Sequence, residues 1–267
     1  MNLMGDEMQP HVIGPMPVLD FLDMFLPKSE INNYTEVVFA DSSFKNTIAA
    51  SGKLAAYNPF IRGMAVFSPS LHFMDSHAKP DAMNCSEFTF HVAPDVCVYS
   101  SPDVSGSDVS QLNVHVEFKW DADHNPFSPL VANSTDKSKV TFLCNSAKAK
   151  DTLGQITAYA AAQLGPQYNA HAFSILVVGM SACLLRWDRE GVVMTDEISY
   201  NEQSELTEFF SHYSQATAGI HGVNTTVTLA DKAEATSVRE VLKLPPTTCM
   251  FKTAVQTIDD DSNLTKL

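Results

Sequence analysis

Apolar and polar residues alternate in one segment near the middle of the chain. In QLNVHVEFKW, residues 111–120, the apolar positions are Val114, Val116 and Phe118, and the polar ones are His115, Glu117 and Lys119. Because successive side chains of a β-strand point to opposite faces, this pattern predicts a strand with one apolar face and one charged face. The charged face would be either exposed to water or part of a functional site.

Helical periodicity is found on both sides of this strand. Residues 16–27 carry apolar side chains at helical spacing and end at Pro27, which predicts a short amphipathic helix. Residues 34–62 show a less regular pattern of the same kind. Residues 147–167 predict a long helix that the Gly-Pro pair near its end terminates.

Runs of β-branched and aromatic residues predict further strands. They lie at residues 64–74, 87–101, 139–144 and 172–200. The Ser-, Asp- and Gly-rich turn at 100–111 predicts that the strand before it forms a hairpin with the strand after it. Residues 204–215 predict an amphipathic helix that Ser204 caps.

Together these elements predict an α+β fold of α/β-like character. We expect a central mixed β-sheet of about four main strands, flanked by helices, with a further hairpin and helix after residue 172. The predicted domain covers residues 1–243, with N-terminal helices at 1–62 and a core at 63–243. Residues 244–267 contain two consecutive prolines and an acidic run, and they predict a loosely ordered tail.

Composition places the chain among ordinary globular proteins. Its 267 residues are 45% hydrophobic and 18% charged, which is enough to bury a sizeable core. The N-terminal segment has no basic region and its apolar residues are interrupted by acids and prolines, so we expect neither a signal peptide nor a membrane span.

The cysteines bear on the cellular compartment. They are odd in number, widely spaced and form no CxxC pair: Cys85, Cys97, Cys144, Cys183 and Cys249. This argues against a disulfide framework or a structural zinc site. We therefore expect an intracellular protein, either cytoplasmic or nuclear.

The chain is strongly acidic. It has 31 acidic and 17 basic residues, a formal net charge of −14. Such a charge repels polyanions at long range, and it disfavours nucleic acid as a partner.

Four residues from three predicted elements form a candidate site. They are Asp95 at the start of one strand, Glu117 and Lys119 on the next, and Gln155 on the long helix, four residues before Tyr159. Neighbouring antiparallel strands would bring the two carboxylates together, where they could hold Mg²⁺ or Mn²⁺. A metal-bound water, a lysine and an amide suit hydrolysis of a phosphodiester.

A structural role explains the same residues equally well. Glu117 and Lys119 would then form a solvated or mutually paired face of the strand, and Asp95 would be a common strand-entry residue. Gln155 favours helix formation in any setting, and Tyr159 would pack against the sheet.

The ordered set Pro94-Asp95, Glu117-x-Lys119 and Gln155-x-x-x-Tyr159 resembles the PD-(D/E)xK nuclease superfamily and its RecB-like branch. This resemblance implies a restriction-endonuclease-like core with Asp95 and Glu117 as metal ligands. Many such sites add a glutamate from an early helix, and Glu36 is the candidate here.

A longer resemblance links the chain to the fungal-type protein kinase family, in the region N-terminal to the kinase domain. The segments that carry it include VLDFLDMFLP, PDVCVYSS, VEFKWDADHNPF, GQITAYA, LLRWDREG and NTTV, and the resemblance covers most of residues 17–230. The sequence has no Gly-x-Gly, His-Arg-Asp or Asp-Phe-Gly motif, so we do not expect kinase activity from it. Asn169, Cys183 and His221 stand where the family pattern has arginine, which would weaken phosphate binding.

Three functions follow as hypotheses. The first is a non-kinase accessory or regulatory domain with a nuclease-like fold and an unidentified protein partner. The second is a divalent-metal nuclease that uses Asp95, Glu117, Lys119 and Gln155. The third is a protein-interaction scaffold, which a large exposed apolar patch would favour.

Overall fold

The computed structural model describes most of the chain. Outside the described residues are 32–33, 35–37, 41, 86–89, 105, 128–141, 247, 254–255, 259–263 and 267. The chain divides into two compact units, Met1–Gly222 and Val223–Leu267. The boundary between the two units, after Gly222, is N-terminal to the tail predicted at residues 244–267.

The first unit is built on an eight-stranded mixed sheet. Its strands are β1 Val12–Met16, β2 His72–Asp75, β3 Val96–Tyr99, β4 Val114–Lys119, β5 Ala172–Val178, β6 Ser181–Trp187, β7 Val192–Thr195 and β8 Ile198–Ser199. Seven strands follow the order β1-β7-β6-β5-β4-β3-β2, and β8 pairs with β6. The pairs β4–β5 and β1–β7 are parallel, and the other pairs are antiparallel.

Helices flank this sheet, which confirms the predicted α+β fold. In the first unit they are α1 Asn2–Met8, α2 Val18–Phe25, α3 Lys45–Ile48, α4 Lys53–Ala65, α5 Ala147–Gln167 and α6 Glu205–Gln215. Helix α5 is the crossover between the parallel strands β4 and β5, as parallel pairing requires. It begins where Ser146 Oγ accepts a hydrogen bond from Ala149 N, at 3.1 Å.

The apolar face of β4 belongs to the largest core cluster. Val114, Val116 and Phe118 pack there with residues of α2, α4 and α6. Phe118 contacts Tyr57 and Phe60 of α4 edge-to-face, with ring centroids 5.3 and 5.0 Å apart. These contacts fix α4 over the β3–β4 hairpin.

The polar face of β4 is buried as well. His115 and Glu117 are both 0% exposed, and α5 supplies the hydrogen-bond and ring contacts of His115. The alternative in which the polar face of β4 is exposed to water is therefore wrong for His115 and Glu117. The alternative of a mutually paired face is observed, since Lys119 Nζ lies 2.9 Å from Glu117 Oε1.

Several predicted elements change their bounds. The strand predicted at 64–74 is confined to β2, because the buried Met64 belongs to the end of α4. The helix predicted at 34–62 is replaced by α3 and α4 in the described part of that range. The predicted Gly-Pro stop is close to correct, since α5 ends at Gln167 and Tyr168 adopts a left-handed conformation (φ 53°).

Two local features were not predicted correctly. Strand β1 was not predicted at all, and it pairs in parallel with β7. Ser204 does stand at the N-cap of α6, but its hydroxyl donates to Glu208 Oε1 at 2.6 Å and caps no backbone N–H.

The second unit is small. Its elements are β9 Val227–Leu229, α7 Lys232–Leu242, β10 Phe251–Thr253, β11 Gln256–Ile258 and β12 Leu264–Lys266. Strand β9 pairs with β10, and β11 with β12, both antiparallel. Asp231 caps α7 in a capping box with Glu234. No helix in the described parts of either unit is long and apolar enough to cross a bilayer.

Candidate functional site

The β3–β4 hairpin brings the two predicted acids together. Val96 of β3 lies opposite Val116 of β4, so Asp95, just before β3, meets the next residues of β4. Asp95 is 5% exposed, and its Oδ2 accepts a hydrogen bond from Phe118 N at 2.8 Å. This bond holds the Asp95 carboxylate beside Glu117.

Lys119 and Gln155 join the same network. Lys119 Nζ donates to Glu117 Oε1 at 2.9 Å and to Gln155 Oε1 at 2.6 Å. Gln155 Nε2 donates to the Tyr159 hydroxyl at 2.8 Å, and that hydroxyl donates to Ala93 O at 3.2 Å. The predicted convergence of side chains from two strands and one helix is therefore present in the structure.

Helix α4 adds two residues that the sequence did not reveal. Lys53 Nζ lies 2.8 Å from Asp95 Oδ2 and 3.7 Å from Glu117 Oε1. The Tyr57 hydroxyl donates to Asp95 Oδ1 at 2.5 Å. Lys53 and Tyr57 are four residues apart and share a helix face. This spacing was only a weak signal in the sequence, because the helix was predicted with imprecise bounds.

Burial dominates the electrostatics of Glu117. Loss of solvent raises the pKa of its carboxyl to about 7, with a further contribution from the Asp95 charge, although Lys119 and Lys53 act in the opposite direction. Its Oε2 atom has no hydrogen-bond partner among the described residues. A substantial fraction of Glu117 is therefore protonated near neutral pH, and a protonated carboxyl is a poor metal ligand.

Tyr57 is a neutral hydrogen-bond donor in this setting. Burial raises the pKa of its hydroxyl well above the usual value, and the hydrogen bond to Asp95 raises it further. The phenol therefore keeps its proton and stabilises the Asp95 carboxylate.

The network continues inward as a row of side-chain contacts between β4 and α5. On α5, Gln155, Tyr159 and Gln163 are spaced by four residues, and on β4, Lys119 and His115 pair with the first and last of them. Four helical residues rise about 6 Å and two strand residues about 6.6 Å, so every fourth residue of α5 stays level with every second residue of β4.

His115 lies at the inner end of this row of contacts. Its Nδ1 lies 3.3 Å from Gln163 Oε1, and its ring contacts Tyr159 edge-to-face at 5.8 Å. Its Nε2 has no hydrogen-bond partner among the described residues. Burial lowers the pKa of the imidazole to about 4, so His115 is neutral near pH 7.

A histidine–aspartate pair lies beside the site. Ser76 N donates to Asp95 O at 3.1 Å, which places the end of β2 against the strand-entry residue. There His77 Nδ1 and Asp75 Oδ1 are 2.5 Å apart, and the His77 ring lies 5.3 Å from that of Tyr57. Both side chains are partly exposed.

The donor atoms of Asp95 and Glu117 suit a hard divalent ion, but each carboxylate already has a lysine partner. A separate group, Asp121, Asp123 and His124, has its ligand atoms within 4.8 Å of one another. Its Asp123 is exposed and paired with a lysine of α5. Glu36, the further ligand considered from the sequence, lies outside the described residues.

No protein-family model matches the sequence, and comparison with curated proteins and with solved structures gives no significant match. Both family resemblances therefore stay predictions from the sequence segments quoted above.

Proposed function

We propose that the chain is a non-catalytic accessory domain whose nuclease-like site is closed by an internal ammonium group. One observation supports this proposal most directly. Lys53 Nζ lies between the two carboxylates, 2.8 Å from Asp95 and 3.7 Å from Glu117. This is the position in which a metal ion would have to contact both acids.

The charges of the cluster support the same conclusion. Two lysines, Lys53 and Lys119, face the two acids, so the cluster has no excess negative charge to attract a divalent cation. A metal ion would have to displace the Lys53 ammonium from its partner and remove the remaining protons from Glu117. Both steps reduce the affinity of the site for the metal.

The sequence resemblance suggests what the domain accompanies. The quoted segments resemble the region that precedes the kinase domain in the fungal-type protein kinase family, and the chain lacks the kinase motifs themselves. In this proposal the domain acts through a protein partner. The net charge of −14 opposes binding to a nucleic acid.

A divalent-metal nuclease is the second candidate, and two features favour it. Glu117 Oε2 has no partner among the described residues, and the Lys53 side chain is 32% exposed, so it has room to swing outward. Asp95 and Glu117 would then hold Mg²⁺ or Mn²⁺, which would supply a water of lowered pKa. Lys119 would stabilise developing negative charge, and Gln155 would orient a water or a phosphate oxygen.

A nuclease assay tests the proposal. The full chain would be incubated with Mg²⁺ or Mn²⁺ and with single-stranded DNA, duplex DNA or RNA, beside the variants Lys119→Ala and Lys148→Ala. Lys148 is an exposed lysine that pairs with Asp123 and with no residue of the network, so it serves as the matched control. We expect wild type and both variants to show the same background cleavage.

Robust metal-dependent cleavage by wild type and Lys148→Ala, lost in Lys119→Ala, would overturn the accessory function and establish the nuclease.

A further inference from the structure

Helix α7 of the second unit has an exposed apolar stripe. Val238, Val241 and Leu242 lie at positions i, i+3 and i+4 and are 40%, 77% and 58% exposed. Leu244, just after the helix, is 37% exposed. Ala235 is the buried residue of this helix, and the larger apolar side chains stay exposed.

The area of this stripe is comparable with that of the largest apolar patch on a typical monomer. The four side chains expose about 350 Å², within the size range at which apolar patches on monomers are often functional. A standard interface buries about 800 Å² on each partner, of which somewhat more than half is apolar. The stripe therefore supplies most of the apolar area that one side of such an interface requires.

The distribution of charge indicates which partner can approach here. Residues 223–267 contain five of the 17 basic and six of the 31 acidic residues, a formal net charge of −1. The remaining 222 residues then carry −13 of the total of −14. Two copies of this acidic chain would repel each other least if they met through the second unit.

The charges of α7 bear on the orientation of such a pair. Asp231 and Glu234 stand at its N-terminal end, where Glu234 pairs with Lys252, and Lys243 follows its C-terminal end. Lys232, Glu240 and Lys243 lie about 120° or more around the helix from Val238, whereas Asp231 and Glu234 lie within about 40° of it. A parallel pair would therefore place the two acidic ends side by side, and an antiparallel pair keeps them apart.

We propose that α7 is a self-association surface, and that two copies of the chain pack their α7 stripes antiparallel about a two-fold axis. Such an interface uses the same residues on both copies. The surface is independent of the Asp95–Glu117 site, so this inference does not rest on the accessory function.

Sedimentation analysis of the full chain between roughly 1 and roughly 100 µM tests the inference, since a dimer with micromolar affinity would form across this range. We expect the mass to rise with concentration from 29.2 kDa toward twice that value. Val241→Asp should raise the dissociation constant at least about tenfold, because it places a charge in the apolar centre. Met83→Asp, at a 90% exposed position of the first unit, is the matched control and should associate like wild type.

A mixture provides the specific test of the antiparallel arrangement. Val238→Lys and Val241→Asp should each associate more weakly than wild type when alone, and mixing them should restore dimer formation, because the two changed positions face each other across the axis. Circular dichroism of each variant shows whether it is folded. A mass of 29.2 kDa at every concentration, or undiminished association of Val241→Asp, would overturn the inference.

Discussion

Replacement of Glu117 by glutamine should change the pH dependence of stability in a defined direction. The carboxyl is 0% exposed in the folded chain, and its pKa is raised to about 7 from its usual value of 4.5. Between these two pH values the folded state therefore holds a proton that the unfolded state has released. The contribution of Glu117 to stability is fully present below pH 4.5 and is lost as the pH rises toward 7.

The size of this effect follows from the difference between the two pKa values. Each unit is worth about 1.4 kcal/mol, so the loss across the window is about 3 kcal/mol. Glutamine has no proton to lose, and the stability of Glu117→Gln relative to wild type should rise by that amount between pH 4.5 and 7. Outside the window the difference between the two proteins should be constant.

Wild type alone would hide this effect because His115 titrates in the opposite sense. Its folded pKa of about 4 lies below the usual value of 6.5, so the stability that it contributes is present above pH 6.5 and is lost as the pH falls toward 4. The two contributions oppose each other over most of the same range. The informative quantity is therefore the difference between variant and wild type at each pH.

Urea unfolding at pH 4 to 8, followed by fluorescence of the two tryptophans, measures this difference. Glu202→Gln, which alters an exposed carboxylate, is the matched control and should stay parallel to wild type. A stability difference for Glu117→Gln that varies by less than about 0.5 kcal/mol over the whole range would refute the assignment of a raised pKa to this buried carboxyl.

Three further substitutions test other parts of the structure. His115→Phe should lose the acid-sensitive contribution of His115 between pH 6.5 and 4, so its stability relative to wild type should rise by up to about 3 kcal/mol at the acid end of the same urea series; no rise would contradict the low pKa. Gly154→Ala should cost about 1–3 kcal/mol in thermal unfolding, because a Cβ there would lie 2.1 Å from Met1 O. Gly165→Ala, with nothing within 4 Å, should cost nothing, and equal losses would refute the close approach of α1. Tyr57→Phe should lose about 1.5–3 kcal/mol with its hydrogen bond to a buried carboxylate, and an unchanged melting temperature would contradict that bond.

Local sequence pattern was sufficient to predict the centre of the candidate site. The alternation in β4 assigned Glu117 and Lys119 to one face, and the turn before it correctly predicted a hairpin with β3. The four-residue spacing of Gln155 and Tyr159 placed both on the same side of α5. These relations depend on the periods of strand and helix, which are properties of neighbouring residues along the chain.

Tertiary packing determined the features that the sequence pattern could not predict. Lys53 and Tyr57 enter the site because α4 packs its aromatic residues on Phe118, a contact between distant parts of the sequence. The burial of Glu117 likewise depends on α5 covering that face of the sheet, since an alternating acid and base look the same on a solvated strand. Strand β1 was missed because its Gly-Pro pair is typical of a turn and not of a strand.

The position of Lys53 between two acids is the central claim, and a magnesium titration of wild type and Lys53→Met tests it most directly. Methionine keeps an unbranched apolar chain of nearly the same length and removes the ammonium, so the variant should lose roughly 1–2 kcal/mol of stability, since the lysine is partly exposed. With the ammonium absent, Mg²⁺ should raise the melting temperature of the variant in proportion to occupancy. We predict no such rise for wild type at the same concentrations. A wild-type protein that Mg²⁺ stabilises as strongly as the variant would contradict the claim.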